Sequence, residues 1–411
     1  MKIDLFAMPS VPATLKERQE ERPVGRSTER YQKMLEELRH LCIMGDELGI
    51  DAFSTTEHHF HTEGNELSVN PILLFADFAA RTKRIMMMPM SIVMTSANPI
   101  RVAEDLAILD QLTKGRVGVA FARGYQKRWM QVLGQGGSVA TGTGDSADKA
   151  NRERYDENME ILLEAWKKDC FNYKGKHFQV PYPYEGIEGW AAAHYTRKFG
   201  AEGEIDDKGI IKKIGVCPRP YQDPHPMISV PVTGGMTSLL NCAENGWLPW
   251  IWEGDPPKFL EMCRSYQRVA AEHGFNFGLG ENCGCVRAIC IGDTFEEAFQ
   301  LAADTTGYSY QEYFGHFGFL ELFRNPEDDP NVRPWRFKSN QDAVKRMIEK
   351  GYQLCGTVDD IKRAMEPLVK CYADGKLEWL SWNFFCQGTT PRHVQDRQLE
   401  LFATKIMPEF K

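Results

Sequence analysis

The chain has 411 residues, with 49 lysines and arginines against 57 aspartates and glutamates, which gives a formal net charge of −8. Hydrophobic residues make up 42% and charged residues 26%, an ordinary globular composition that excludes disorder for the bulk of the chain. The acidic balance argues against a nucleic-acid-binding protein, which usually carries a basic face for the phosphates. The longest nearly apolar stretch, residues 85–94, is much shorter than the roughly 20 residues of a membrane-spanning helix. Neither nucleic acid nor a membrane is therefore expected as a partner.

The start of the chain and the cysteines favour the cytoplasm. The opening MKIDLFAMPS contains one lysine and no apolar run long enough for a secretory signal, and it is typical of a first strand. Eleven cysteines, an odd number scattered along the chain, do not suggest a disulfide framework. We expect a protein of a reducing, cytoplasmic compartment.

The first 130 residues alternate strands and helices. Residues 2–8 form an apolar strand, and the stretch that follows places apolar residues three or four apart, as in a helix. Two later helices begin at Asn70-Pro71 and Asn98-Pro99, a good capping pair. The strands between them are nearly continuous apolar runs, which is typical of a parallel sheet covered on both faces.

The same cycle continues downstream. Counting eight strands and eight helices predicts one TIM (β/α)8 barrel domain that spans residues 1–411. Three insertions, at about 135–150, 181–217 and 308–340, account for the extra length in the loops at the C-terminal face of the barrel. Polar motifs follow the second, third and fourth strands, where active sites of such barrels are built. The later strands are expected at residues 227–233, 247–252, 286–291 and 378–385.

Glu57, His58, His59 and His61 form the densest cluster of titratable side chains, directly after the second strand. Histidine titrates near neutral pH and serves as a general acid or base, so catalysis is the favoured role. Structural hydrogen bonding and metal binding stay open as alternatives, since Glu and His also bind zinc or iron. The chain has no HExxH motif and no second His/Asp cluster at a strand end, so no metal site is predicted.

Two stretches are candidate anion sites. Arg123 ends the fourth strand just before Gly124, where its guanidinium could bond two oxygens of a phosphate or carboxylate; a salt bridge at the barrel rim is the alternative. Residues 232–238, VTGGMTS, follow a strand and open a helix, whose first backbone N–H groups favour a phosphate. A Gly-Gly pair alone would equally make an ordinary turn. The candidate phosphate-binding residues of this stretch are Gly234, Gly235, Thr237 and Ser238.

Two further stretches have several interpretations. Residues 134–148 are rich in glycine but lack the Lys-Ser/Thr of a P-loop, so a surface loop near the mouth of the site is predicted. The aromatic run at 308–323 could be a lid over a cofactor or substrate, a buried helix pair or a subunit contact.

The sequence resembles the luciferase-like flavin-dependent monooxygenases, the family that contains the bacterial luciferase α subunit. The matching runs are STTEHHF, TSANPIRVAEDLAILDQLTKGR leading into VGVAFARGY, SVPVTGGMTSLLNCAENG and CGTVDDIKRAMEPL. The likeness covers nearly the whole chain outside the three insertions. It implies a TIM-like barrel that binds reduced FMN (FMNH2), supplied by a separate NAD(P)H-dependent flavin reductase. It also implies that the enzyme uses O2 to oxygenate a small organic substrate such as an aldehyde or ketone.

The resemblance also implies roles for individual residues. His58, beside Glu57, matches the catalytic histidine of the family, and Arg123 matches an arginine on the FMN phosphate. The step from Met90 to Ser91 lies where family members have a non-prolyl cis peptide bond beneath the flavin ring. The second phosphate-binding stretch and the tryptophan that flanks the isoalloxazine correspond to Gly234, Gly235, Thr237, Ser238 and Trp335.

The sequence departs from luciferase itself. Ala122 stands where luciferase has its reactive cysteine, and the aspartate a few residues beyond the arginine is not reproduced, so luminescence is not implied. Three other functions stay open: a deazaflavin-dependent oxidoreductase of the same superfamily, a non-catalytic flavin-binding barrel subunit, and a metal-dependent hydrolase. The family tends to dimerise, so the resemblance implies a homodimer.

Overall fold

The computed structural model describes residues 1–135, 137, 139, 145–233, 235–385 and 388–411. The strands within these residues are β1 Lys2–Ala7, β2 Ala52–Thr55, β3 Met86–Val93, β4 Gly118–Ala122, β5 Tyr173–Lys174, β6 Gln179–Val180, β7 Met227–Val232, β8 Leu248–Ile251, β9 Gly284–Ile291, β10 Gln353–Gly356 and β11 Trp379–Phe384. The helices are α1 Leu15–Glu20, α2 Thr28–Leu48, α3 Pro71–Ala79, α4 Pro99–Thr113, α5 Lys127–Val132, α6 Ser146–Lys167, α7 Ala193–Phe199, α8 Met236–Asn245, α9 Pro256–Glu272, α10 Phe295–Ala302, α11 Tyr308–Glu312, α12 Asn340–Glu349, α13 Val358–Val369 and α14 Arg392–Leu401.

Contacts between backbone segments divide the chain into two compact units. Unit 1 consists of Met1–Ser91, Gly118–Ala120 and Met227–Lys411, and unit 2 consists of Ile92–Val117 and Phe121–Pro226. The expectation of one domain over the whole chain stays a prediction.

Unit 1 contains the barrel. Its hydrogen-bonded strand order is β9-β11-β1-β2-β3-β4-β7-β8, and β8 pairs again with β9, which closes the ring. The closing pair is parallel and sets Trp250 opposite Gly284. The predicted eight-stranded TIM barrel is therefore confirmed, and the later strands lie within two residues of their expected bounds.

The strands differ from expectation in three details. The short antiparallel pair of β5 and β6 was not predicted. Strand β10 was not predicted either; it pairs in parallel with the second half of β9, with Gln353 opposite Ala288. It has only four residues, too few to show a period of two between its flanking helices. Strand β2 ends at Thr55, so the EHHF motif lies in the loop beyond the strand rather than in an extended continuation of it.

One face of the barrel strands forms the interior. Because successive side chains on a strand alternate in direction, every second residue points inward. The methionines of β3 follow this rule: Met88 and Met90 belong to the interior cluster, which identifies them as core residues. Phe53 of β2 points outward instead, with its ring 6.4 Å from Phe75 and 6.0 Å from Phe78 of α3. Other interior residues are Phe6, Ala52, Ala120, Leu248, Trp250, Val286, Ala288 and Trp379.

The predicted insertion at 308–340 is folded and largely packed, and we call its residues 308–337 the cap segment. It consists of α11 followed by two 3-10 turns, Phe314–Phe317 and Phe319–Phe323. Its buried side chains belong to the same cluster as the barrel interior. The aromatic run is buried, but as one short helix and two 3-10 turns rather than as a helix pair. A lid and a subunit contact stay predictions. The cap residues in this cluster are Tyr310, Phe314, Leu320 and Phe323, with Trp335 and Phe337 packed against them.

Unit 2 is built around α4 and α6. The indole of Trp166 on α6 donates to the carbonyl of Ala103 on α4 at 3.0 Å. The insertion at 181–217 holds α7 and isolated bridges such as Ile187 with Ile211. Most of the glycine-rich stretch at 136–144 lies outside the described residues.

None of the helices within the described ranges has both the length and the apolar character needed to cross a membrane. The described cysteines all carry free thiols.

Candidate functional site

The loop between β2 and α3 buries His58 against a carboxylate. His58 Nδ1 lies 2.7 Å from Glu66 Oε1, and the two side chains are 8% and 1% exposed. The hydroxyl of Thr56 lies 3.3 Å from the same nitrogen and 3.0 Å from Ser68 Oγ. The His58 backbone N–H donates to the carbonyl of Ser68 at 3.2 Å. An acidic side chain this close to Nδ1 favours a proton on that nitrogen and a lone pair on Nε2.

Glu57 and His59 form a separate pair. His59 Nε2 lies 2.8 Å from Glu57 Oε1, and both side chains are slightly more exposed than that of His58. The sequence grouped Glu57 with His58 as catalytic residues. In the structure the carboxylate next to His58 Nδ1 is that of Glu66.

His61 connects this loop to the cap segment. Its Nδ1 donates to the carbonyl of Asn65 at 2.7 Å, and the hydroxyl of Tyr313 lies 3.1 Å from the same nitrogen. The centroids of the His61 and His58 rings are 5.7 Å apart. Tyr313 therefore brings an aromatic ring of the cap to the histidine cluster.

The Met90–Ser91 peptide bond is cis, as the resemblance implies. Met90 is buried in the barrel interior, and Ser91 is partly exposed at the next position of β3. This step therefore lies toward the C-terminal end of β3, on the same parallel sheet as β2, which leads into the His58 loop.

The start of α8 offers unsatisfied backbone donors. Gly235 is its N-cap residue and, without a side chain, leaves the first turn without a side-chain cap. Gly235 and Thr237 are exposed, Ser238 is half-buried, and an ideal Cβ on Gly235 would meet no atom within 4 Å. Such a helix start suits a phosphate group. Gly234, the fourth predicted residue of this stretch, lies outside the described residues.

Arg123, in unit 2, is engaged in an ion pair. Its Nη1 lies 2.8 Å from Asp148 Oδ1 near the start of α6, and both side chains are mostly buried. Its carbonyl accepts from Thr95 Oγ1 at 2.7 Å and from Asn151 Nδ2 at 3.0 Å. The salt bridge that the sequence left as the alternative is present, and a phosphate would have to share the guanidinium with Asp148.

Trp335 lies on the cap segment against the barrel cluster. The guanidinium of Arg324 lies 4.8 Å from the indole centroid, and Phe337 meets the ring edge-on with centroids 6.0 Å apart. The buried indole Nε1 has no hydrogen-bond partner among the described residues. A buried indole N–H without a partner could donate a hydrogen bond to a bound ligand.

A buried carboxylate, Asp4, lies inside the barrel below the site. Its Oδ2 accepts from Ser54 Oγ at 2.7 Å and from Ser381 Oγ at 2.6 Å. Complete burial raises the pKa of Asp4 to about 7. Sequence reasoning missed this residue, since a single Asp in a first strand carries no motif.

Glu66 and Tyr313 were missed for a related reason. Glu66 lies eight positions after His58, and Tyr313 lies in the insertion at 308–340, so no fixed spacing connects them to the histidine. Within the described part of the chain, no group of three or more His, Cys, Asp or Glu side chains is arranged to hold a metal ion.

Comparison with known proteins places the chain in a family. The family model described as luciferase-like monooxygenase matches residues 1–375. The alkanal monooxygenase alpha chain of the Kryptophanaron alfredi symbiont is 30% identical over 388 residues, which is 92% of this chain and 94% of that protein.

Two solved structures share the fold over the whole of this chain and 99% of their own. The oxygenating constituent of 3,6-diketocamphane monooxygenase from Pseudomonas putida, in complex with FMN, has a TM-score of 0.72 at 18% identity. An F420-dependent secondary alcohol dehydrogenase has a TM-score of 0.62 at 14% identity. At these identities the likeness establishes the barrel, while the match over residues 1–375 establishes descent. The chain belongs to the luciferase-like monooxygenase family of TIM-barrel oxidoreductases.

Proposed function

We propose that the chain is an FMN-dependent monooxygenase, which takes reduced FMN from a separate reductase and uses O2 to oxygenate a small organic substrate such as an aldehyde or ketone. The observation that carries this proposal is the buried pair of His58 and Glu66 beside a barrel with an apolar interior. A histidine in such a position can move a proton in a site that excludes water.

The residues present fit FMN. The uncapped start of α8 suits the phosphate, with Gly235, Thr237 and Ser238 as its proposed ligands, and Gly234 and Arg123 stay proposed ligands on the family resemblance. The cis step at Met90 is the proposed support for the isoalloxazine, and Trp335 its proposed neighbour. Reduced FMN, when bound, supplies the two electrons with which one atom of O2 enters the product and the other leaves as water.

The side chains of this chain have separate tasks in that reaction. His58 exchanges a proton at Nε2, because its Nδ1 is directed at Glu66. Met88 and Met90 present an apolar surface that excludes water, and Tyr310 and Phe314 of the cap continue that surface. Water and stray protons would otherwise divert the oxygen to hydrogen peroxide.

A deazaflavin-dependent hydride transfer is the second candidate, because the F420-dependent dehydrogenase shares the barrel over the whole chain. The two candidates differ in how they respond to oxygen. We expect the protein mixed with reduced FMN and then O2 to show a long-lived absorbance distinct from those of reduced and oxidised FMN. Reduced FMN that oxidises as fast with the protein as without it, together with hydride transfer from reduced F420, would support the second candidate.

A homodimer stays a further proposal, which sedimentation equilibrium would test.

A further inference from the structure

Glu66 lies outside every motif of the sequence, yet it is held in an unusual position. Its φ angle is 47°, in the left-handed region that non-glycine residues rarely adopt. Its backbone N–H donates to Ser10 Oγ at 3.2 Å, and the side chain is 1% exposed. A left-handed residue with a buried carboxylate is unfavourable twice over, in backbone energy and in desolvation. Such a residue persists only where surrounding contacts hold it. Its carboxylate is therefore a candidate for a role in the site.

Both carboxylate oxygens of Glu66 are buried, and neither has a hydrogen-bond partner of good geometry among the described residues. Oε1 makes a close ion contact with His58, at 2.7 Å from Nδ1. Glu66 also lines a cavity of about 50 Å³, which is room for water molecules. Ser309 Oγ, on the cap side of the same cavity, is likewise buried without a partner among the described residues. The cavity thus brings together two polar groups that solvent could satisfy.

We propose that Glu66 is the positioning residue of His58, an inference that rests on the proposed function. Its carboxylate holds the proton on Nδ1, keeps the Nε2 lone pair directed at the reacting groups, and stabilises the imidazolium that forms when Nε2 takes up a proton. The carboxylate stays ionised throughout, as an orienting carboxylate beside a catalytic histidine does.

The test compares E66Q with E66D and S309A. E66Q keeps the shape and removes the charge, so we expect kcat to fall by about 10- to 1000-fold with KM unchanged within about threefold. E66D retains the charge, and we expect it to keep more of kcat than E66Q does.

S309A is the matched control, since it alters the same cavity without touching His58. We expect its kcat to match that of the wild type. If E66Q leaves kcat unchanged, or if S309A reproduces the effect of E66Q, the positioning role is wrong.

A second readout does not depend on activity. In protein labelled with 15N at histidine, the His58 ring is expected to show a protonated Nδ1 in the wild type and a shifted tautomer balance in E66Q, with H58N as the assignment control. If the wild type oxygenates nothing yet this signature is present, the proposed function fails while the pairing stands. If the signature is absent from an active enzyme, the positioning role alone fails.

Discussion

The described residues 56–70 form neither helix nor strand, yet they bury the His58 ring almost completely. The burial follows from local contacts: Thr56, Ser68 and Glu66 all lie against the ring or its backbone. The sequence predicted the histidine because EHHF follows a strand. It could not predict Glu66, because only the folded loop brings that carboxylate back to the ring.

Replacing His58 by alanine should abolish most of the oxygenation and leave FMN binding intact. The imidazole exchanges protons in the proposed reaction, whereas the proposed phosphate ligands lie elsewhere. We expect kcat, measured as the rate of product formation per enzyme with reduced FMN supplied, to fall by at least about 100-fold. H59Q is the matched control, since His59 pairs with Glu57 instead. A loss in H58A of less than about threefold, under 1 kcal/mol, would show that His58 is not the catalytic base or acid.

Asp4 should make the folded state less stable as pH rises. Its pKa is raised from 3.8 to about 7 by burial, so the folded protein keeps a proton that the unfolded chain has lost. The free energy of unfolding therefore falls between about pH 4 and pH 7 by about 1 to 4 kcal/mol from this group, and is constant above pH 7. We expect the difference between wild type and D4N, measured by urea denaturation, to follow that curve. A pH-independent difference would place the pKa of Asp4 near its ordinary value.

At the scale of elements, the parallel strands and their helices were predictable from the sequence. Contacts between elements that lie far apart in the sequence were not predictable. Asn70 and Asn98 cap helices with their side chains at the expected positions, because capping is a local property. Strand β10 and the cap segment were not predicted as they are, because their structure depends on β9 and on the barrel interior. The ion pair of Arg123 depends in the same way on α6, which begins more than 20 residues further along the chain.

Arg123 allows a test that separates phosphate from ring binding. R123A should weaken FMN binding by about tenfold and leave riboflavin binding unchanged, because riboflavin lacks the phosphate. Fluorescence titration of both ligands gives the two dissociation constants. D148N serves as a second variant, because it frees the guanidinium from its ion pair and should not weaken FMN binding. Equal losses for FMN and riboflavin in R123A would instead indicate that Arg123 supports the fold of α6.

At the scale of the whole molecule, an acidic chain of net charge −8 would hold the proposed cofactor FMN, an anion, through local exceptions to its overall charge. The start of α8 is such an exception, since its donors are backbone N–H groups that need no positive side chain. The fold class was predictable because eight cycles of strand and helix have one common solution. The substrate was not predictable, because the insertions that we expect to shape its pocket have no counterpart in the recognised motifs.

Electrons should reach the chain only through FMN that a separate enzyme has reduced. The chain with FMN and NAD(P)H alone should therefore consume no O2 above the background rate. Adding either a separate flavin reductase or FMN reduced by light should start oxygen consumption, and both sources should give the same product per reduced FMN, because the two proteins share only a diffusible flavin. H58A supplied with reduced FMN serves as the control for uncoupled oxidation. Oxidation of NAD(P)H by the chain alone, at a rate that matches product formation, would contradict a two-component system and assign the reductase activity to this barrel.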